Sequence, residues 1–577
     1  MLGIIIITSL SSFSQKSQQP NIIIILTDDQ GYGDLGYTGN PHIKTPVIDK
    51  FASKSIRLTN FYVSPVCAPT RASLLTGRYS LRTGIRDTYN GGAIMATEEV
   101  TLAEMLKNAG YTNGIFGKWH LGDNYPSRPM DQGFDESVIH LAGGMGQPGD
   151  ITTYFKKDSS YFDPVLWKNG KQESYTGYCS DIFTEQAINF IVENAENPFF
   201  CYLSFNAPHT PLQVPEQYEQ MYKHIDPAKN WPYKIPSSKE MSKADKEDAR
   251  KVYAMISNID DNLGKLFEKL EELQLKENTL IIFMTDNGPQ QYRYISGLKG
   301  LKGSVYRGGI RVPFYMQLPS HFAGNKNIDI PLAHIDVLPT IAEICQLKNS
   351  SDVLIDGKSF LPLINGQKVD WANRPLFFYW SRTYPELYRN ISLQNGKYKL
   401  VGQSDYNADL KEFELYDLEK DPHEQNNLIL SKQDIAGPLK EELDELYFHL
   451  VKSPNLIDPP KIIIGSDQEN PVFLNRNDAE GDRGIWEQEE IYGKWSVKIK
   501  EGNYNLKFKF LKPLEANGRM FLQAGTIINQ KQNTLGVMDE IMMDNIYLPS
   551  MEGDLVPFYS VGAKRILPLW IEVERIK

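Results

Sequence analysis

The sequence predicts an α/β protein in which a large, mostly parallel sheet is sandwiched by helices, with an additional C-terminal antiparallel β region. Three observations carry that prediction. The segments NIIIILTDDQGYGD, YTNGIFGKWHLGD, NPFFCYLSFNAPHTP and NTLIIFMTDNGP share one format, a short unbroken apolar run followed by polar residues and glycine. Runs without alternation suit strands covered on both faces, as parallel strands are. Between them lie helix-like stretches, TLAEMLKNAG, DIFTEQAINFIVENAEN and ARKVYAMISNIDDNLGKLFEKLEEL, which suit crossovers between such strands. Around Pro454–Pro460 the pattern changes. WSVKIKEGNYNLKFKFL alternates with period two about a Glu-Gly-Asn turn, and PLWIEVERIK does the same, which suits a small sandwich.

Length sets the organisation. A chain of 577 residues exceeds what one core usually holds, and three parts are expected: 1–18, 19–455 and 456–577. The opening MLGIIIITSLSSFSQKSQQP has an apolar core at Leu2–Ile7 followed by small and polar residues. It reads as a signal peptide over 1–18 that lacks the usual basic start, and it implies export to the periplasm or beyond the cell. No later run is long and apolar enough to span a bilayer. A hydrophobic share of 41% and a charged share of 23% describe an ordinary globular protein. The net charge of −11 argues against a general nucleic-acid binder, which needs a basic face, yet allows a locally cationic site for an anionic substrate. Cys67, Cys179, Cys201 and Cys345 are too few for a disulfide framework.

In a parallel sheet the working site lies beyond the carboxyl ends of the strands. Asp28 and Asp29, Lys118 and His120, His209, and Asp286 and Asn287 each follow an apolar run, so they are expected to converge at one sheet edge. Three carboxylates and an amide oxygen meeting at a point would repel one another unless a cation sat among them. An all-oxygen set suits Ca²⁺ or Mg²⁺ rather than Zn²⁺. Taken singly, such residues also serve as turn and capping groups. Lys118, His120, His209 and the Lys302 of GLKGS, gathered beside that cation, would make a pocket for a tetrahedral oxyanion.

The segment VCAPTRASLLTGR places Cys67 near the start of a helix running from Thr70 toward Gly77. Helix N-termini favour negative charge, and Arg71, one turn along, can return its guanidinium toward position 67. A low-pKa thiolate is one reading of such a cysteine. Soft sulfur is nevertheless a poor neighbour for an oxygen-loving cation. The site calls for an oxygen nucleophile and the sequence supplies sulfur.

Those residues carry a resemblance. Cys67-Ala-Pro69-Thr-Arg71 followed by ASLLTGR is similar to the Cys-x-Pro-x-Arg signature of formylglycine-dependent (type I) sulfatases, in the alkaline-phosphatase-like superfamily. The resemblance runs from Pro20 to Leu428 through NIIIILTDDQGYGDLG, GKWHLG, APHTP, TDNG, LKGSVYRGGIRVP, HIDVLPT and ELYDLEKDPHEQNNL. It resembles bacterial polysaccharide sulfatases in particular. Two departures stand out: Arg307 occupies a position where the family commonly has an acidic residue, with an altered charge near the entrance expected, and the C-terminal β region is longer than a minimal sulfatase requires.

What the resemblance implies is specific. A formylglycine-generating maturation enzyme would oxidise Cys67 to formylglycine, whose hydrate is the oxygen nucleophile. Asp28, Asp29, Asp286 and Asn287 would bind one Ca²⁺, with the converted residue 67 as a further ligand. Arg71 would fix the diol, and Lys118, His120, His209 and Lys302 would surround the sulfate. Asp286 would be the base for attack, His209 or Lys302 the acid for the leaving alcohol, and His120 the base that expels sulfate. The expected substrate is a sulfated polysaccharide or oligosaccharide, either algal (ulvan or galactan) or a glycosaminoglycan. Two other readings are a phosphodiesterase or phosphonate monoester hydrolase of the same superfamily and a non-catalytic sulfoglycan-binding protein.

Several conspicuous residues are expected to be structural. His334 and Asp336 precede a helix and suit capping. Cys201 sits inside an apolar run. Trp380, Tyr384 and Tyr388 are expected to pack rather than line a sugar site, and most of Trp486, Trp495 and Trp570 to face the sandwich interior. The polar insertion KHIDPAKNWPYKIPSSKEMSKADKEDARK is expected at the rim of the site.

Overall fold

A computed structural model describes residues 19–576 apart from 233–239, 348–352, 370, 372–373, 483 and 535. The expected signal peptide, 1–18, lies outside the described residues. The four apolar runs form the strands Asn21–Thr27, Thr112–Lys118, Phe199–Ser204 and Thr279–Thr285. With Glu136–His140 they make five adjacent parallel strands, and Asn21–Thr27 lies between Thr279–Thr285 and Phe199–Ser204. Ile22 to Leu26 are fully buried. Each such side chain contributes roughly 1.5–3 kcal/mol by leaving water, enough to outweigh the roughly 1–2 kcal/mol of backbone ordering per residue.

The ten-stranded sheet is mixed at its margins. Phe314–Gln317 pairs antiparallel with Thr279–Thr285, and Val165–Lys168 antiparallel with Glu136–His140. These marginal strands are short, three or four residues, and carry no periodic signature long enough to read. The predicted helices appear as Leu102–Asn108, Cys179–Glu193 and Lys243–Glu272. The longest opens on a capping box between Ser242 and Asp245. Its buried Asp260 accepts from the free N–H groups of Val47 and Ile48, which begin the helix Pro46–Lys54.

In sequence between the large sheet and the C-terminal region comes a four-stranded antiparallel sheet that no apolar pattern announces: Leu376–Tyr379, Ile391–Asn395, Tyr398–Gly402 and Glu414–Asp417. The helix Gln433–Leu450 packs on it through Leu439, Leu443 and Tyr447.

The C-terminal β region is a sandwich. One sheet contains Gly493–Ile499, Met551–Val561 and Arg519–Ala524, and the other contains Val472–Asn475, Trp570–Arg575, Gly502–Leu514 and Met538–Leu548. The Glu-Gly-Asn turn passes from the first sheet to the second, because the strands flanking it pair with different partners. Trp495 is fully buried between the sheets, as alternation predicts. The region is bound to the rest of the chain: Ile94 packs with the sandwich core, Phe473 and Trp570 pack against the main core, and Asn475 Nδ2 donates to Asp123 Oδ2 at 2.9 Å.

Candidate active site

The seven residues expected at one sheet edge meet there, beyond the carboxyl ends of the central strands, and Cys67, Arg71 and Lys302 join them to make ten. Asp28 and Asp29 follow Asn21–Thr27, and Asp286 and Asn287 follow the adjacent Thr279–Thr285. The backbone N–H of Asp29 donates to Asp286 Oδ1 at 3.2 Å, and Asn287 Nδ2 donates to Asp29 Oδ1 at 2.8 Å. Ligand atoms of Asp28, Cys67 and Asp286 lie within 4.8 Å of one another, as do those of Asp28, Asp29 and His209.

Cys67 is the first residue of the helix Cys67–Thr76, three residues earlier than the sequence suggested. Val66 provides no side-chain cap, so the first N–H groups of this helix stay open near residue 67. The Arg71 guanidinium is held by three partners. Its Nε and Nη2 donate to Asp286 Oδ2 at 3.1 and 2.7 Å, while Nη1 donates to the Lys118 carbonyl and to Ser204 Oγ. Ser204 is a contributor that sequence reading missed; its position ending an apolar run was the available signal.

Lys118 Nζ lies 2.5 Å from Asp28 Oδ2, and Lys302 Nζ lies 2.6 Å from Asp29 Oδ1. His209 Nε2 is 3.8 Å from Asp29 Oδ2. His120 Nδ1 faces Cys67 Sγ at 3.5 Å, and its Nε2 lies 2.8 Å from the Thr88 carbonyl. A carbonyl only accepts, so Nε2 carries the hydrogen and Nδ1 presents a lone pair to residue 67. The same logic applied to His209, whose Nδ1 lies 2.7 Å from the Thr210 carbonyl, leaves its Nε2 facing Asp29.

Asp29 and His120 adopt left-handed backbone conformations, with φ of 61° and 62°. For residues with a side chain these cost about 1–3 kcal/mol and cluster where function requires them. Gly117 explains how the strand ends approach: a Cβ there would sit 1.8 Å from the Ser204 carbonyl oxygen.

Burial governs the electrostatics. Asp286 is pushed up to about 6 by burial and by repulsion from Asp28, against the pull of Arg71 and Lys118. Burial also raises Asp29, but Lys302 and His209 outweigh it and hold that carboxyl well below the usual range. Burial and Lys118 lower His120, and burial and Lys302 lower His209 to about 3. Lys302 is held in its charged form, because Asp29 outweighs the effect of burial. Cys67 is raised, chiefly by burial, so the thiolate reading of this position is corrected.

The donor set fits a hard divalent cation. Asp28 Oδ1, Asp29 Oδ2 and Asn287 Oδ1 are buried without hydrogen-bond partners, an expensive arrangement unless a cation meets them. All three are oxygens, the donor type that Ca²⁺ and Mg²⁺ prefer.

Other residues depart from expectation. Arg307 is not at the entrance: it is buried, donating to the Pro422 carbonyl and Asn60 Oδ1, both at 2.8 Å, against the segment after the four-stranded sheet. Trp380 and Trp486 line the cleft rather than pack away from it, together with Tyr89 and Arg382. Tyr388 is buried against Phe413, while Tyr384 is exposed beneath the Arg86 guanidinium. Trp570 packs edge-on to Phe155 at the junction with the β region. His334 and Asp336 are structural as expected, the first bonding Ser64 Oγ and the second receiving the Ala333 N–H. Cys201 is a buried strand residue. The described part of the polar insertion packs Trp231 on Tyr292 and Tyr294, next to the loop whose Gln290 lines the cleft.

A mixed sheet with buried carboxylates and cations gathered past its strand ends defines the alkaline-phosphatase-like class of hydrolases. The chain belongs to the sulfatase family and is a sulfuric ester hydrolase: the Sulfatase family model matches residues 20–347, which contain all ten residues. A second model, N-sulphoglucosamine sulphohydrolase C-terminal, matches residues 301–449. N-acetylgalactosamine-6-sulfatase of Mus musculus is 31% identical over 63% of this chain and 70% of its own length. N-acetylgalactosamine-6-O-sulfatase of Bacteroides thetaiotaomicron is 27% identical over 75% of this chain and 94% of its own. Among solved structures, Ps i-CgsB in complex with k-i-k-neocarrahexaose superposes with a TM-score of 0.64 at 28% identity, covering 76% of this chain and 94% of that one.

Proposed function

We propose that the protein is an exported sulfatase of sulfated polysaccharides or oligosaccharides that works through a formylglycine made from Cys67, with one Ca²⁺. The observation that carries this reading is the meeting of Cys67 with three orphaned, buried oxygens and four cationic or imidazole side chains. Asp28, Asp29, Asp286, Asn287 and converted residue 67 would hold the ion. When bound, it would supply fixed positive charge beside the sulfuryl oxygens.

The chain's own residues then divide the work. Arg71, already fixed by Asp286 and Ser204, orients the diol of residue 67. Asp286 is assigned to take the proton of the attacking hydroxyl as that hydroxyl's oxygen bonds to sulfur. The ester S–O bond breaks, and its electron pair goes to the leaving alcohol. Lys302 carries its proton in the free site and is assigned to protonate that alcohol, while Lys118 binds sulfate oxygens and His209, with Nδ1 held by the Thr210 carbonyl, stands beside them. His120 Nδ1, aimed at residue 67, removes the proton of the second hydroxyl, so the carbon–oxygen double bond forms and sulfate leaves. Water rehydrates the aldehyde.

The likeness to N-acetylgalactosamine-6-sulfatases and to Ps i-CgsB in complex with k-i-k-neocarrahexaose supports a sulfated glycan substrate with galactan or glycosaminoglycan character. Residues 19–455 would form the catalytic part, 456–577 the appended β part and 1–18 the export signal. Sulfate release across defined sulfated oligosaccharides, with aryl phosphate and phosphonate esters run in parallel, tests the reading. Dominant turnover of the phosphorus esters would overturn it, as would full activity of preparations in which Cys67 remains a thiol.

A further inference from the structure

The cleft above Cys67, His120, His209 and Lys302 is a cavity of about 510 Å³ that extends well beyond the sulfate-sized space. Its far lining comes from three separate parts of the chain: Thr88 and Tyr89, Trp380 and Arg382, and Trp486 of the β region. Trp486 lies outside both family matches, so the β region completes a wall begun by the matched part of the chain.

These side chains form an ordered cluster. The Trp486 and Tyr89 rings lie 5.1 Å apart between centroids. The Arg382 guanidinium lies 4.8 Å from the ring centres of both Tyr89 and Trp380. Fully buried Asp87 organises the cluster, accepting from Arg382 Nη1 at 3.0 Å, Trp380 Nε1 at 3.2 Å and the Thr383 N–H at 3.0 Å. Arg382 makes both its bonds, to Asp87 and to Thr88 Oγ1, through Nη1, and its side chain remains 48% exposed. The rest of the guanidinium fork is available to a ligand. The Trp486 indole N–H and the Gln147 amide oxygen, also on this cavity, are buried without partners. Such groups call for a ligand that both donates and accepts hydrogen bonds.

Aromatic faces, an Arg fork stacked on them and unpartnered polar atoms suit a sugar ring bearing an oxyanion. We infer that Tyr89, Trp380, Arg382 and Trp486 form a subsite for the sugar adjoining the sulfated one, and that it selects an adjoining sugar bearing its own carboxylate or sulfate. This rests on the sulfatase reading of the Cys67 site. Thr88 ties the subsite to that site, since its hydroxyl accepts from Arg382 and its carbonyl holds His120. Glu487, exposed on the Trp486 turn, is the acidic residue of the lining and disfavours a second anion at that rim.

The test compares kcat/KM for sulfate release from an aryl sulfate and from sulfated disaccharides whose second sugar is neutral, a uronate or sulfated. The full-length matured protein is compared with Trp486→Ala and Arg382→Gln. In the unaltered protein the charged disaccharides are expected to exceed the neutral one by about tenfold. The arm that gains more, uronate or sulfate, names the oxyanion. Trp486→Ala is expected to lower the ratio of disaccharide to aryl sulfate turnover by about tenfold, and Arg382→Gln to erase the preference for a charged neighbour. Ratios unchanged in both variants, or no preference in the unaltered protein, overturn the subsite while aryl sulfate turnover leaves the sulfatase reading standing. No sulfate release from any substrate overturns that reading and the subsite with it.

Discussion

Arg71 and Asp286 are joined twice through one oxygen, with Nε and Nη2 of the guanidinium both donating to Asp286 Oδ2, which leaves Oδ1 for the Asp29 N–H. The pair is fully buried, and the same guanidinium lies 4.0 Å from Asp28. Removing it strands carboxylates that water cannot reach. Arg71→Ala is expected to lose about 3–5 kcal/mol of stability by urea unfolding, besides its activity. Stability equal to the unaltered protein would show that the carboxylates do not depend on this cation.

Cys67→Ala removes the nucleophile and with it the fifth ligand proposed for the ion. The residue is small and buried, so thermal unfolding is expected to shift little while sulfate release drops to the uncatalysed background. Activity within tenfold of the unaltered protein would remove the proposed chemistry.

Calcium is expected to raise the melting temperature, by about 2.7 kcal/mol of added stability at a hundredfold excess over Kd. Asp286→Ala is expected to abolish that increment and to lower the metal content measured after dialysis against a weak chelator. Equal calcium-dependent stabilisation of both proteins would place the ion elsewhere.

The junction with the β region holds a buried carboxylate pair. Burial pushes Asp123 up to about 6, and burial together with repulsion from Asp123 raises Asp478. A raised acid binds its proton more tightly folded than unfolded. Its stabilisation is therefore complete below the unfolded pKa near 3.8 and is lost as pH rises through about 6. Asp478→Asn is expected to be more stable than the unaltered protein at pH 8 by on the order of 1 kcal/mol, with the difference vanishing toward pH 4. Melting curves across that range that run parallel would contradict the assignment.

Part of the catalytic edge was legible because several of its residues follow apolar runs that suit buried strands, whereas Cys67, Arg71 and Lys302 were reached only through the motif. Asp28, Lys118, His209 and Asp286 owe their convergence to strand polarity, which the pattern reveals without knowledge of packing. The cleft wall was not legible. Trp380 and Trp486 look like core residues in sequence, and only the docking of the β region on Asp123 and Ile94 brings Trp486 to the opening. Arg307 was misplaced for the related reason that charge alone does not say which side of a short helix faces the cleft. The Glu-Gly-Asn turn was visible as a turn, but turn chemistry does not say whether the chain then pairs within its sheet or crosses to the next one.

The burial of all four cysteines bears on how preparations can be assayed. Cys67, Cys179, Cys201 and Cys345 are free, enclosed thiols, and burial raises the pKa of each. An alkylating reagent therefore meets almost no reactive sulfur in the native protein. In denaturant under reducing conditions, unconverted chains yield four alkylated positions, and chains converted at Cys67 as proposed would yield three. On that proposal a simple stoichiometry reads the fraction of molecules able to turn over.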